Sequence, residues 1–467
     1  MTRSTETSGA PAPEFKRLSR RDLILPPLAE QVIECVVAAG GRPVVVGGLL
    51  RDVCRARLQE RPLETSPDVD IEVFGLEPRA IAAALRPLGS APLVGKSFPL
   101  IRLRGVDVSW PHSGARKTGG EAMGGDIPRI RLVDAARRRD FTMNAMAWDP
   151  QTEEIRDPFG GSVDLARGIL RHVDAVTFRE DPLRALRAVQ FIARFQLAPA
   201  PETVELVAEL APLLPSLPRE RLMVELEKFL LMGHAMSEAV AFGVETGVLP
   251  ALFPEPARQW NPSCWRTIGR ALDAGALERT GDSKNDLPFM LAILLHPLVE
   301  QEIAPPGVGR AAADEDEGMG TALVDRVLSR LTDEAKLREV TQALLRHVHA
   351  PDQIVGRAGA DEALRRLALE VPIDALTRMS WAIHQSRRRE GADQETAARR
   401  LRKRAAALGV LTAPPKPIIQ GRDLIALGVS PGKEMGTLLA ELFERQLEGA
   451  FSDRRSGLAY AKKLLGA

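Results

Sequence analysis

Two aspartates one residue apart, Asp68-Val69-Asp70, follow the run Val44-Val45-Val46-Gly47-Gly48 and the segment Leu49-Leu50-Arg51-Asp52. A strand that breaks at paired glycines and restarts as a helix presents backbone N–H groups at the positive end of that helix, a place that suits a triphosphate. Arg51, one turn in, is placed to neutralise it. If Asp68 and Asp70 share a strand, the two-residue period puts both carboxylates on one face, where they repel unless a cation joins them. Hard oxygen ligands suit Mg²⁺, and a metal pair lowers the pKa of a 3′-hydroxyl while neutralising a leaving pyrophosphate. Either piece alone reads as well as a glycine turn or as two solvated acids; together and in this order they favour chemistry. The pattern is neither GxxxxGK[ST] nor GxGxxG, so a P-loop and a dinucleotide fold are not supported.

The elements that must hold these residues are legible as patterns. Helical spacing covers 29–39 and 49–58, a β-branched run covers 43–46, and alternation marks strands over 70–74, 100–103 and 106–110. Residues 23–174 are therefore mixed α and β. Beyond Asp174 the pattern is helical, with helices expected over 178–195, 201–210, 219–231 and on to the end. The fold class is α+β, a head of mixed sheet and helices followed by an all-helical neck, body and tail. Proline and glycine mark exposed connections at 304–320 and 412–417. Domains are expected as a polar, disorder-prone leader (1–22), a catalytic head (23–174), a base-recognising neck (175–255), a body (256–411) and a tail (412–467).

At 467 residues, with 45% hydrophobic and 27% charged residues, the chain can bury a sizeable core, and neither a disulfide mini-protein nor wholesale disorder fits. Lys+Arg 63 against Asp+Glu 62 leaves a net charge of +1, so any nucleic-acid binding must come from a local basic face. The three widely spaced cysteines, Cys35, Cys54 and Cys264, form no CxxC or disulfide framework and fit a reducing cytoplasm. Residues 1–18 lack the apolar core of a secretory signal, and no segment reaches the ~20 apolar residues of a membrane helix.

Further motifs carry a resemblance. Arg138-Arg139-Asp140-Phe141-Thr142-Met143-Asn144-Ala145, Asp157-Pro158-Phe159-Gly160-Gly161, Leu170-Arg171-His172-Val173 and Glu180-Asp181-Pro182-Leu183-Arg184-Ala185-Leu186-Arg187-Ala188 follow the glycine turn and paired acids in order. Together they resemble the DNA polymerase beta-like nucleotidyltransferases, specifically the class II tRNA nucleotidyltransferases (CCA-adding enzymes) and bacterial poly(A) polymerases, strongly over 43–231. The resemblance implies Mg²⁺ on Asp68 and Asp70, with Asp107 as a third acid, base or metal ligand. It implies Gly47, Gly48 and Arg51 on the triphosphate, and Arg139, Asp140 and Asn144 on sugar and triphosphate. Asp140 and Asn144, four apart, are expected on one helical face. Asp181 and Arg184 would read the base, with Arg187 beside them. Cytosine and adenine both place an amino donor beside a ring-nitrogen acceptor, so one carboxylate and one guanidinium satisfy either. Uracil and guanine face the carboxylate with a carbonyl, and two buried unpaired acceptors cost ~1–3 kcal/mol. Arg221 and Glu225 read as a bracing i,i+4 pair.

The resemblance departs in places. Where the family has Arg, Arg, Glu before Lys-Thr-Gly, this chain has His112-Ser113-Gly114-Ala115-Arg116 before Lys117-Thr118-Gly119. The apolar lead-in of a metal-dependent HD phosphohydrolase ends in His296-Pro297, so the partnering aspartate is missing and a degenerate, structural HD-like region is expected, with His347 and His349 as helix-end residues. Gln420-Gly421-Arg422-Asp423-Leu424 and the glycines to Gly436, with Arg387–Arg389 and the 399–404 cluster, are read as a basic track for a tRNA acceptor arm. The expected function is addition of C and A to a tRNA 3′ end from CTP and ATP. The alternatives are a poly(A) polymerase, a CC-only or A-only enzyme on the same scaffold, and, from another class, an inactive RNA-binding module.

Overall fold

A computed structural model of the chain describes residues 15–62, 68–89, 93–94, 100–111, 130–300, 313–387 and 395–465. It divides into two compact units, one running to Ile192 with Gln196–Pro215, the other comprising Ala193–Phe195 and Ser216–Ala467. The division runs later than the expected head boundary at Asp174.

In the first unit helix α1 (Arg20–Leu23) and α2 (Pro27–Ala38) lead into β1 (Arg42–Val46), α3 (Gly48–Leu58), β2 (Val69–Phe74), α4 (Pro78–Leu85), β3 (Leu93–Val94), β4 (Leu100–Leu103) and β5 (Val106–Ser109). There follow α5 (Leu132–Arg137), β6 (Ala147–Asp149), β7 (Glu154–Arg156), α6 (Gly161–Ala166), α7 (Ala175–Arg179), α8 (Leu183–Phe195) and α9 (Pro201–Leu210). Among the described residues the strands form one seven-stranded sheet in the order β3-β4-β5-β2-β1-β6-β7, so β2 and β1 lie at its centre. All neighbours are antiparallel except β2 and β5, which run parallel.

Register decides which side chains share a face. Val46 pairs with Asp70 and Val44 with Glu72 across β1 and β2, while Asp70 pairs with Asp107 and Arg102 with Asp107 across the next two ladders. Because side chains alternate along a strand, these residues lie on one side of the sheet. Val44, Val46, Phe74 and Ala147 there pack against Leu132 and Ala135 of α5. The alternate residues Val45, Ile71, Val108, Ile101 and Trp148 are fully buried. The alternation read over 70–74 thus separates a working face from the core.

Three expectations need correction here. Residues 15–22 are part of the head: Leu18 N–H donates to Glu153 O and Ile155 N–H to Lys16 O, so the segment runs along β7, and Trp148 Nε1 donates to Leu18 O at 2.8 Å. The expected helix over 178–195 is two helices broken at Asp181-Pro182, since Pro182 has no N–H to continue the ladder. Asp140 and Asn144 lie in a bend and a single 3₁₀ turn (Thr142–Asn144), not on an α-helical face. The close pass of Gly161 explains the tight turn: a Cβ there would sit 2.1 Å from the Thr142 carbonyl oxygen.

The second unit is helical. Its helix Ser283–Leu295 opens on a polar first turn and is then apolar on all sides, with Phe289 to Leu295 wholly buried, the pattern of a helix surrounded by others. The connection expected over 304–320 is helical from Ala313, within Ala313–Leu331, and its earlier residues lie outside the described ones. Residues 412–417 are largely exposed coil, as expected. The last helices, Gly421–Ile425, Lys433–Glu448 and Arg454–Leu464, close on Ile419, Leu424, Met435, Leu442 and Phe451. No described helix is long and apolar enough to cross a membrane.

Candidate active site

Gly47 ends β1 with φ 77° and ψ −139°, a conformation open to glycine, and α3 starts at the next residue. The turn brings the chain against the paired acids: a Cβ at Gly47 would lie 2.7 Å from Asp70 Oδ2. Asp70, Glu72 and Asp107 share the working face, and Asp68 precedes β2 as an exposed residue. Packing around the Asp70 carboxyl pushes its pKa up; Arg139 pulls it back, and the charges of Asp107, Asp68 and Glu72 add to the rise. Asp70 nonetheless keeps an exposed face, so its carboxylate is open to solvent.

The remaining expected residues fall into two groups. Arg139 reaches across the sheet face to Glu72, Nη2 to Oε2 at 3.3 Å, which sets it beside the acids. Asp140 and Asn144 are bonded to each other, Asn144 Nδ2 donating to Asp140 Oδ1 at 3.0 Å, and Arg187 of α8 forks onto Asp140 Oδ2 from Nε at 2.8 Å and Nη2 at 2.6 Å. The polar patch expected of a helix face is therefore built by a turn and a distant helix. Burial alone would raise the Asp140 pKa, but Arg187, the Asn144 amide and the Phe141 N–H outweigh it and hold it at about 2. Below its ordinary 3.8, this carboxyl contributes stability fully present above about pH 4 and lost as pH falls through about 2. Asp140→Asn is expected to flatten the pH dependence of the unfolding free energy over that window by about 2 kcal/mol in urea titrations at stepped pH.

Arg51 lies one turn into α3, where it was read. It is 5% exposed, bonded to Asp52 through Nε (2.9 Å) and Nη2 (3.0 Å) and to Asn144 Oδ1 through Nη1 (2.9 Å). It thereby ties α3 to the Asp140 turn, and its charge underlies Gly48, whose Cβ position lies 3.3 Å from Nη2. Arg184 donates to the carbonyls of Thr177 (2.8 Å) and Arg138 (2.6 Å), which fixes its guanidinium between α7 and the end of α5. Burial lowers its pKa, with Asp140 and Asp181 opposing. Asp181 accepts the Leu183 N–H at 3.2 Å and so begins α8, one turn before Arg184.

Two contributors escaped the sequence reading. Arg102 forks onto Asp107, Nε to Oδ1 at 2.8 Å and Nη2 to Oδ2 at 2.6 Å, so the third acid is already engaged. Asp164 accepts Thr142 Oγ1 at 2.8 Å and anchors the 3₁₀ turn. The signal for Arg102 lay in the two-residue Arg104-Gly105 turn, which sets Leu103 opposite Val106 and Arg102 opposite Asp107.

The donor set at the turn is one of oxygens. Among the described residues no three His, Cys, Asp or Glu converge as a metal cage. Two carboxylates suit Mg²⁺ all the same, since this ion takes one or two and completes its shell with water and phosphate oxygens. The mutual repulsion of the acids and the absence of a side chain at Gly47, against Asp70 Oδ2, fit an ion of that kind.

Elsewhere, His296 is buried, its Nδ1 2.6 Å from Ile293 O, followed at once by the helix Pro297–Glu300. His347 ends one helix and pairs with Glu370 at 3.0 Å, and His349 begins the next. The 399–404 cluster is largely neutralised: Arg399 lies over Trp381, Arg402 pairs with Asp374 at 2.7 Å, Lys403 with Glu395 at 2.5 Å and Arg404 with Asp361. Asp423 is used to begin its helix and to hold Arg454. Residues 112–119 and Arg388-Arg389 lie outside the described residues.

A sheet whose central strands carry acids against a glycine turn defines a nucleotidyltransferase head, and comparison with known proteins agrees. Residues 44–171 match the "Poly A polymerase head domain" family and 196–259 the "Probable RNA and SrmB- binding site of polymerase A" family. A Multifunctional CCA protein of Stenotrophomonas maltophilia is 29% identical over 69% of this chain and 81% of that protein, and one of Paracidovorax citrulli is 31% identical over 65% and 72%. The fold is that of a Bacillus stearothermophilus CCA-adding enzyme solved with CTP (22% identity, 95% of this chain and 98% of that one, TM-score 0.61). It is equally that of a Thermotoga maritima CCA-adding enzyme solved with tRNA (19%, 97% and 100%, TM-score 0.61). The chain belongs to the class II CCA-adding and poly(A) polymerase family.

Proposed function

We propose that this protein adds C and A to the 3′ end of tRNA, taking CTP and ATP in turn. The observation that carries the reaction centre is the apposition of the Gly47 turn and the Asp70 carboxylate, 2.7 Å from the missing Cβ, at the start of α3. The relatives named CCA proteins support the choice of substrate. In this reading Asp68 and Asp70 hold Mg²⁺, which would supply charge neutralisation at the phosphates and a lower pKa at the 3′-hydroxyl.

The chain's own groups do the rest. Gly47 and Gly48 let the triphosphate approach backbone N–H groups at the positive end of α3. Arg51 acts from behind that turn, through its field and its hold on Asn144. Arg139 stands at the mouth beside Glu72, while Asp140, Asn144 and Arg187 form a rigid frame for the sugar. Two of the five N–H donors of Arg184 are spent on carbonyls, which orients the others beside Asp181 for the edge of cytosine or adenine. The head, neck, body and tail outlined from the sequence, with a structural HD-like region, remain our view of the division of labour. Cys35, Cys54 and Cys264 form no disulfide, consistent with work in a reducing cytoplasm.

The test is product length on a tRNA lacking its terminal CCA, with CTP alone, ATP alone and both. We expect two added residues with CTP alone and three with both. A long ladder with ATP alone would replace this reading by poly(A) synthesis, and arrest after two residues with both nucleotides would make it a CC-adding enzyme.

A further inference from the structure

Four carboxylates gather at this end of the sheet: Asp68 one residue before β2, Asp70 and Glu72 on its working face, and Asp107 directly across from Asp70 on β5. Like charges so placed destabilise one another, and the fold sets an arginine against the acid at each flank. Glu72 has Arg139 at 3.3 Å, and Asp107 has Arg102 in a two-point fork at 2.8 and 2.6 Å. The second contact is written into the register, because the turn at Arg104-Gly105 makes Arg102 and Asp107 cross-strand neighbours on one face. The Arg102 guanidinium feels more than its direct partner, since Asp107 first and then Asp68 and Asp70 strengthen its hold on its proton. Its side chain is also open to solvent, 60% exposed against 25% for Asp107. An exposed pair of this kind contributes little net stability, so it separates at small cost.

We propose that Arg102 is the resident counter-cation of the acid cluster: it covers Asp107 when no divalent ion is bound and competes with that ion for the cluster's negative charge. This rests on the reading of Asp68 and Asp70 as metal ligands. The guanidinium already feels the charges of Asp68 and Asp70, so a dication held between those acids repels it. Entry of the metal is therefore coupled to release of Arg102 from Asp107, and the cluster stays charge-compensated in both states. Removing the guanidinium leaves the metal-free cluster more anionic. Metal then binds more tightly, and binding stabilises the fold by more.

The experiment uses the full chain without nucleotide, with Mn²⁺ as the probe and free Mn²⁺ followed by electron paramagnetic resonance. Arg102→Met is expected to bind Mn²⁺ about tenfold more tightly than the wild type and to gain more in Tm on adding Mg²⁺. Arg102→Lys, which keeps the charge, should stay within about twofold of the wild type. Because Arg102 is exposed, both variants should fold, as circular dichroism will report. If Arg102→Met binds Mn²⁺ no more tightly than the wild type while Asp70→Asn loses binding, the counter-cation role is overturned and the metal site stands. If Asp70→Asn binds Mn²⁺ like the wild type, the metal site itself is overturned, and this inference with it.

Discussion

Replacing Asp70 by asparagine is expected to lower nucleotide incorporation about a thousandfold or more, ~4 kcal/mol of transition-state stabilisation, while leaving the folded state at least as stable as before. The two halves of that expectation have one cause. Asp70 stands among Asp68, Glu72 and Asp107, and their charges oppose its ionisation. Removing one negative charge from such a group relieves repulsion, so a neutral isostere costs the fold nothing. The same change removes the carboxylate that lies against the glycine turn, where in the proposed function the metal and the phosphates would sit. Steady-state incorporation of labelled CTP, alongside thermal unfolding, separates the effects. Retention of more than about a tenth of the activity would remove Asp70 from the reaction centre, and a collapse of Tm would show that its role is structural.

The second large effect concerns stability in the helical unit. Arg378 is 2% exposed on its side chain, pairs with Asp286 at 3.0 Å and Asp374 at 2.9 Å, donates to Glu278 O at 2.7 Å and lies 4.5 Å from the centre of the Phe289 ring. Asp286, equally buried, also accepts the N–H groups of Thr280 and Gly281 at 2.8 Å. Arg378→Met fills most of the volume but leaves the Asp286 carboxylate buried with its chief counter-charge gone. Breaking one partner of such a pair costs ~3–5 kcal/mol, far more than the pair itself contributes over an apolar replacement. Urea unfolding of the variant should show that loss. The double change Arg378→Met with Asp286→Leu should recover much of it, and a single-variant loss below about 1 kcal/mol would rule the account out.

What the sequence disclosed follows from the range of the forces involved. The glycine turn and the strand alternation are local patterns, and Asp70 lies against Gly47, whereas Asp68, read on the same strand, stands one residue before β2. Pro182 also carried its message in plain view, since a proline there breaks the helix read across 178–195. The frame around Asp140 was hidden for a different reason. Its partners are 4 and 47 positions away in the chain, and the 3₁₀ turn that holds it exists because Gly161 and Asp164 approach Thr142 from α6. The same holds for Arg51. Its position one turn into α3 was legible, but its capture by Asp52 and Asn144 depends on which loop packs over the helix. Charge counting over 399–404 could not show that Arg402 and Arg404 pair with Asp374 and Asp361 from elsewhere in the sequence.

The strip of chain before α2 carries a practical lesson. By donating and accepting along β7 and covering the indole of Trp148, residues 16–18 hide the outer rim of the sheet. A shortened version beginning at residue 24 would bare that rim, and bared rims recruit strands from other molecules. Trimming this apparently dispensable stretch would therefore incline the head to aggregate.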